Sequence, residues 1–162
     1  MSRPFAIGRQ GAVIGRRGAT ALGLAMLVAS PLRAQQKTPR IVSVGSALTE
    51  IFYALGAENL LVGVDTTSLY PPQAKSLPQV GYMRALSAEG VLSLKPTLIM
   101  ATTGAGPAST LDQLKATGIE VVILPDRYDY DSVVKKIEAV GKATGKVAEA
   151  DALIARGQAD MK

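Results

Sequence analysis

The chain has 162 residues, with 18 Lys and Arg, 13 Asp and Glu, and no His, Cys or Trp. Residues 1–34 hold five arginines and no acidic residue, so the remaining 128 residues are neutral, with 13 basic and 13 acidic side chains. A nucleic-acid-binding role based on global charge is thereby excluded. The composition also excludes a Cys/His zinc site, a histidine-based triad, a thiol nucleophile and a disulfide.

Residues 1–34 have the pattern of a secretory signal peptide. Four arginines precede the apolar run ATALGLAMLVAS at residues 19–30, and the helix breaker Pro31 and the small residue Ala34 follow it. The run is shorter than the roughly 20 apolar residues of a membrane-spanning helix. The pattern predicts cleavage after Ala34, by either the general or the twin-arginine export route, and a soluble mature protein that does not span the membrane. The alternative is an uncleaved N-terminal anchor or a buried helix.

Short apolar runs and amphipathic stretches alternate along the rest of the chain. Strands are predicted at residues 41–44 (IVSV), 60–64 (LLVGV), 98–101 (LIMA) and 121–124 (VVIL). Helices are predicted at residues 47–55, 87–93 and 107–117, and over stretches that begin near residues 131 and 146. Ser46, Ser87 and Asp131 are the predicted N-caps of three of these helices.

This alternation predicts an α/β fold in which a parallel sheet is covered by helices on both faces. Ligands of such sheets bind at the carboxyl ends of the strands. The loops that follow the strands should therefore share one rim, and they contain four of the five tyrosines: Tyr70, Tyr82, Tyr128 and Tyr130. Tyr53 falls inside a helix and is expected to pack.

Three long stretches carry a more specific pattern: RIVSVGSALTEIFYALGAENLLVGVD, YPPQAKSLPQVGYMRALSAEGVLSLKPTLIMA, and AGP with the following LDQLKATGIEVVILP. With the helix at Asp131 they extend over residues 40–160. This pattern resembles the periplasmic substrate-binding proteins of bacterial ABC importers for haem, cobalamin and ferric siderophores. YPP followed by LPQVGYMR resembles the haem-binding branch of that class.

The resemblance implies a chain organised as half of a two-lobed protein. In the class, two α/β lobes are joined by one long helix, and the ligand lies in the cleft between them. Residues 1–34 would be the signal peptide, residues 35–145 a Rossmann-like N-terminal lobe, and residues 146–162 the start of the interlobe helix, with the C-terminal lobe absent. The implied function is capture of haem in the periplasm and delivery to an inner-membrane ABC permease. Cobalamin and ferric siderophores are the alternative ligands.

Tyr82 is the candidate ligand of the haem iron. Without His or Cys, an iron ligand here must be Tyr, Met or a carboxylate, and a phenolate is a hard anionic donor suited to ferric iron. The resemblance assigns axial ligation to Tyr82 and a supporting role to Arg84, with Met83 lining the pocket. The alternative is an exposed loop tyrosine beside a solvated arginine.

Four further residues are candidates with weaker support. Gly104 lies in TTGAGP, which lacks a phosphate-loop signature and fits a haem propionate or a plain pocket wall better. Tyr70 and Tyr128 would stack on the porphyrin or simply cover the rim. The resemblance makes Glu89 a contact for the permease, while the alternative is a surface glutamate favoured by the helix dipole.

A secreted α/β enzyme is the competing function class. Ser46, Asp65 and Asp126 are the residues available for hydrolysis, but the nucleophile motif GxSxG is absent. We therefore predict a binding protein that has no enzymatic activity.

Overall fold

The computed structural model describes residues 38–161, so the expected signal peptide and its cleavage site lie outside the described residues. Residues 38–161 lie in one compact unit. Within the described residues, the strands are β1 (Ile41–Val44), β2 (Leu61–Val64), β3 (Gly81–Tyr82), β4 (Ala85–Leu86), β5 (Leu98–Thr102) and β6 (Glu120–Leu124). The α-helices in the same range are α1 (Ser46–Ala54), α2 (Ala88–Ser93), α3 (Ala108–Ala116), α4 (Tyr130–Thr144) and α5 (Val147–Asp160). Short 3₁₀ helices span Glu58–Leu60 and Pro72–Ser76.

The main sheet is parallel, as the alternation of strands and helices predicts. Its strand order is β2-β1-β5-β6, and every pairing within it is parallel. β1 and β5 lie at the centre and all their residues are buried. Buried strands with apolar residues on both faces require a layer of helices on each side of the sheet.

Two apolar clusters form those layers, one on each face of the sheet. Alternate residues of the central strands point to opposite faces, so Ile41 and Met100 belong to the first cluster, and Val42 and Ile99 to the second. The first cluster contains the buried apolar side chains of α1, α4 and α5, and the second contains those of α2 and α3. The expected fold class, a parallel sheet with helices on both faces, is confirmed.

Two predicted helix caps are wrong. α1 begins at Ser46 itself, and its N-cap is Gly45, which has φ 118° and makes no side-chain capping bond. α4 is capped by Asp129 rather than Asp131, because the Asp129 carboxylate accepts a hydrogen bond of 2.8 Å from the Ser132 N–H group. The prediction for α2 is confirmed, since the Ser87 hydroxyl accepts from Gly90 N–H at 3.0 Å.

The two aspartates at the start of α4 should differ in their effect on stability. Asp129→Ala should lower the free energy of unfolding by about 1 kcal/mol, because it removes the capping acceptor. Asp131→Ala removes only exposed ion pairs with Lys135 and Arg127 and should cost less than about 0.5 kcal/mol. Urea denaturation of both variants measures the difference. An equal loss in the two variants would contradict the assignment of the cap.

α5 packs closely along α4. A Cβ atom on Gly141 would lie 2.6 Å from the Ala150 side chain, so the two helices approach as closely as a glycine allows. Tyr130 is the first residue of α4 and not part of a loop as predicted, and its hydroxyl donates to the Ile154 carbonyl of α5 at 2.9 Å. Among residues 38–161, no helix is long and apolar enough to cross a lipid bilayer.

Candidate functional site

The carboxyl ends of the four parallel strands form one rim. The strand order reverses direction between β1 and β5, since the chain moves outward to β2 on one side and to β6 on the other. In open α/β sheets this reversal creates a crevice where ligands bind. Gly45 follows β1 and Thr102 ends β5, so these two residues mark the reversal point.

A small antiparallel hairpin carries Tyr82. Tyr82 pairs with Ala85 across the hairpin, and Met83 and Arg84 form its two-residue turn. Tyr82 is 48% exposed and Arg84 is exposed. Met83 is partly buried and packs against the cluster on the side of α2 and α3. Tyr82 and Arg84 are therefore the accessible groups of this turn, and residues 38–161 contain no hydrogen bond between them.

Backbone hydrogen bonds fix this hairpin against the rim. Gly106 N–H donates to the Met83 carbonyl and Leu86 N–H donates to the Gly106 carbonyl, both at 2.9 Å. On the other side, Thr66 N–H donates to the Gly81 carbonyl at 3.0 Å. The loop between β5 and α3, which contains the exposed Gly104, is thus brought next to the hairpin. The structure places Tyr82, Arg84 and the Gly104 loop together.

Tyr70 and Tyr128 lie elsewhere on the same rim. Tyr70 is 64% exposed and lines an open groove of about 560 Å³ between α1 and α4, together with Pro71 and Val133. Tyr128 is fully exposed in the loop between β6 and α4. The structure therefore gives these two tyrosines surroundings different from those of Tyr82, whose hairpin is bonded to the β5–α3 loop.

Tyr53 has the packed environment expected of it. Its ring is partly buried against the core cluster on the α1 face and also lines the groove beside Tyr70. Burial raises the pKa of the Tyr53 phenol, and the nearby Glu58 carboxylate raises it further. Both effects favour the neutral hydroxyl, so Tyr53 is poorly suited to act as a phenolate ligand.

Asp65, directly after β2, is the centre of a buried polar network that the sequence analysis missed. Its carboxylate accepts hydrogen bonds from Gly45 N–H, Thr67 N–H and the hydroxyls of Thr67 and Ser68, at distances from 2.6 to 3.0 Å. Ser68 in turn contacts the Thr49 hydroxyl at 2.7 Å. Asp65 is 0% exposed. The sequence gives one indication of this network: an acidic residue follows a buried strand, and hydroxyl residues stand two and three positions after it.

The residues named for an enzyme do not converge. Asp65 is fully buried in its hydrogen-bond network, and Ser46 is partly exposed at the start of α1. Asp126 forms an ion pair with the buried Lys136. In the described part of the chain, no group of three or more His, Cys, Asp or Glu residues could hold a metal ion.

Glu89 lies in the first turn of α2, after the capping residue Ser87, and its side chain is exposed. Its position near the helix N-terminus is favourable for a carboxylate whatever else it contacts. The structure therefore leaves Glu89 available to a partner without itself identifying one.

Comparison with known proteins identifies the family. The protein-family model described as "Periplasmic binding protein" matches residues 41–161, which are nearly all of the residues that the structure describes. The chain belongs to this periplasmic binding protein family. The match includes the whole sheet, the Tyr82 hairpin and α5.

Three similar proteins show which kinds of binding protein this chain resembles. The chain is 37% identical over 130 residues to an ABC transporter substrate-binding lipoprotein, YvrC, of Bacillus subtilis, with 79% of this chain and 41% of the relative covered. It is 35% identical over 105 residues to a vitamin B12-binding protein of Photorhabdus laumondii, with 64% and 38% covered. Its fold is similar to the crystal structure of a periplasmic heme-binding protein from Pseudomonas aeruginosa, with a TM-score of 0.73, 40% identity, and 74% and 43% covered.

All three relatives are named as binding proteins, and the one from Bacillus subtilis is named as the substrate-binding lipoprotein of an ABC transporter. The chain spans about two-fifths of the length of each. This family member therefore belongs to the broad class that includes binders of heme and of vitamin B12.

Proposed function

We propose that this chain is the ligand-binding lobe of a periplasmic protein that captures haem and delivers it to an inner-membrane ABC permease. The observation that carries the proposal is the exposed Tyr82 on a hairpin fixed at the rim of the sheet. A phenolate in that position is a suitable axial ligand for ferric iron. The 40% identity to a heme-binding protein over 74% of the chain supports the same ligand.

The other residues of the rim take supporting roles in this proposal. Arg84 stabilises the Tyr82 phenolate through its positive charge, and Met83 and the Gly104 loop form the adjoining wall. Tyr70 and Tyr128 offer aromatic faces to the ligand's edge. Glu89 contacts the permease. Residues 1–34 act as the export signal, cleaved after Ala34, residues 35–145 form the lobe, and α5 begins the helix that joins the two lobes of the class.

Cobalamin is the second candidate ligand. The relative in Photorhabdus laumondii, 35% identical over 105 residues, is named a vitamin B12-binding protein. Cobalamin already carries its metal in a corrin ring, so its binding would not depend on a phenolate from Tyr82. The two ligands are therefore separable by their dependence on this residue.

A visible-spectrum titration tests the proposal. Ferric haem added to the 162-residue chain should give a saturable Soret shift and a phenolate-to-iron charge-transfer band. Aquocobalamin, titrated in parallel and followed by quenching of tyrosine fluorescence, should bind at least about 10-fold more weakly. Saturable binding of cobalamin alone would replace haem with cobalamin as the ligand. Binding of neither would overturn the proposal.

A further inference from the structure

The N-terminus of α1 has two free backbone donors at the reversal point of the sheet. Its N-cap residue Gly45 has no side chain, and the Gly45 N–H group is already bonded to Asp65 at 2.9 Å. Within residues 38–161, the N–H groups of Ser46 and Ala47 have no acceptor. Ser46 is partly exposed and Ala47 is exposed, so an incoming acceptor can reach both.

Thr102 is an independent indication that a ligand group binds at the start of α1. It is the last residue of β5 and is 2% exposed, yet its hydroxyl oxygen has no hydrogen-bond partner in the described part of the chain. The Thr102 side chain lies against the start of α1, because a Cβ atom on Gly45 would lie 2.9 Å from Thr102 Oγ1 and 3.1 Å from Thr102 Cγ2. Buried hydroxyl groups nearly always have a partner, and an unpaired one at a ligand-binding edge needs an explanation.

We propose that the Ser46 N–H, the Ala47 N–H and the Thr102 hydroxyl together bind a carboxylate group of the ligand. The positive end of the α1 dipole favours an anion here. Two carboxylates oppose it, because Asp65 lies buried behind Gly45 and Glu50 is exposed one turn along α1. The site therefore acts through oriented donors more than through net charge, and it favours a ligand group that accepts several hydrogen bonds at once.

This inference rests on the proposed function, because it assigns the site to one of the two propionate groups of haem. The corresponding side chains of cobalamin are uncharged amides, which accept weaker hydrogen bonds than a carboxylate. The three donors would then contribute to the preference for haem, while Tyr82 contributes affinity for the iron. The two contributions should be separable, because the effect of the three donors depends on the haem carboxylates and the effect of Tyr82 depends on the iron.

Ferric haem and its dimethyl ester, titrated into the 162-residue chain and three variants, test the site. Thr102→Val removes the hydroxyl at constant shape. Ser46→Pro removes the N–H group at the first helical position, where proline is tolerated, and Ser46→Ala is its control for the lost side chain. The unaltered chain should bind haem about 10-fold more tightly than the ester. Thr102→Val and Ser46→Pro should each reduce that ratio to about 3-fold or less, and Ser46→Ala should retain it.

The outcomes separate the two proposals. Equal affinity for haem and its ester, or an unchanged ratio in both Thr102→Val and Ser46→Pro, would overturn the carboxylate site and leave haem binding intact. Failure of the unaltered chain to bind either compound would overturn the proposed function, and the carboxylate site with it. Urea denaturation gives a ligand-free check: Thr102→Val should unfold at the same or a higher urea concentration, because it removes an unpaired hydroxyl. A large loss of stability would show that the hydroxyl has a partner within the protein.

Discussion

Tyr82→Phe should weaken ferric haem binding by about 100-fold and abolish the phenolate-to-iron charge-transfer band. The change removes one oxygen atom from a side chain that is 48% exposed, so the iron ligand is lost while the aromatic ring and the hairpin remain. The free energy of unfolding should change by less than about 0.5 kcal/mol. Haem titration, with urea denaturation of the same samples, measures both quantities.

Tyr70→Phe is the matched control for this prediction. Tyr70 is also an exposed rim tyrosine, at 64%, but it lies in the groove between α1 and α4. Its loss of the hydroxyl should change haem affinity by less than about 3-fold. Arg84→Ala should reduce haem affinity by about 10-fold, which lies between the effects of the two tyrosine variants, because it removes a supporting charge and leaves the iron-coordinating phenol in place. Unaltered affinity in Tyr82→Phe would rule out Tyr82 as the axial ligand.

Asp65→Ala should lower the free energy of unfolding by roughly 3–5 kcal/mol, the largest effect on stability that we predict. The substitution leaves the buried donors of Gly45 and Ser68, and the partly buried donors of Thr67, without their acceptor. Burying such donors unpaired carries the full cost of removing them from water. Urea denaturation followed by circular dichroism gives the measurement.

Two further variants define the cause of that loss. Asp112→Ala removes an exposed aspartate whose only described partner is Lys115 at 3.4 Å, and it should cost less than about 0.5 kcal/mol. Asp65→Asn keeps the size of the side chain but replaces one acceptor oxygen with a donor, so it should cost less than alanine and more than Asp112→Ala. If Asp65→Ala were as stable as Asp112→Ala, the buried network would have no structural role.

The sequence predicts the layers of this fold well because they depend on local patterns. Each of the four parallel strands is predicted within one residue at either end, since a run of apolar residues buried on both faces has few other interpretations. The residues that cap the helices are less predictable. Gly45, and not Ser46, is the N-cap: it has a φ of 118°, and a Cβ atom added to it would lie 2.9 Å from Thr102 Oγ1, so tertiary packing sets this end of the helix. No local pattern contains that information.

The candidate site shows the same division between local and tertiary information. The aromatic and basic residues of the rim are recognisable from their place after strands, but the hairpin that presents Tyr82 is not. Its turn, Met83 and Arg84, lacks the glycine or asparagine that marks most two-residue hairpins. Its shape comes instead from the hydrogen bonds to Gly106 and Thr66, which are distant in sequence. The buried state of Asp65 is likewise a property of the assembled sheet.

The bonding of this short hairpin has an entropic consequence. Backbone bonds at Gly81, Met83 and Leu86 hold the turn in place. If Tyr82 is the axial ligand that we propose, its backbone needs little ordering when the haem iron binds. A donor carried on an unattached loop would lose that conformational freedom upon binding, at a cost of about 1–2 kcal/mol for each backbone residue that becomes fixed. In the proposed role, the entropic cost of fixing the Tyr82 backbone is met when the protein folds, so most of the coordination energy would contribute to affinity.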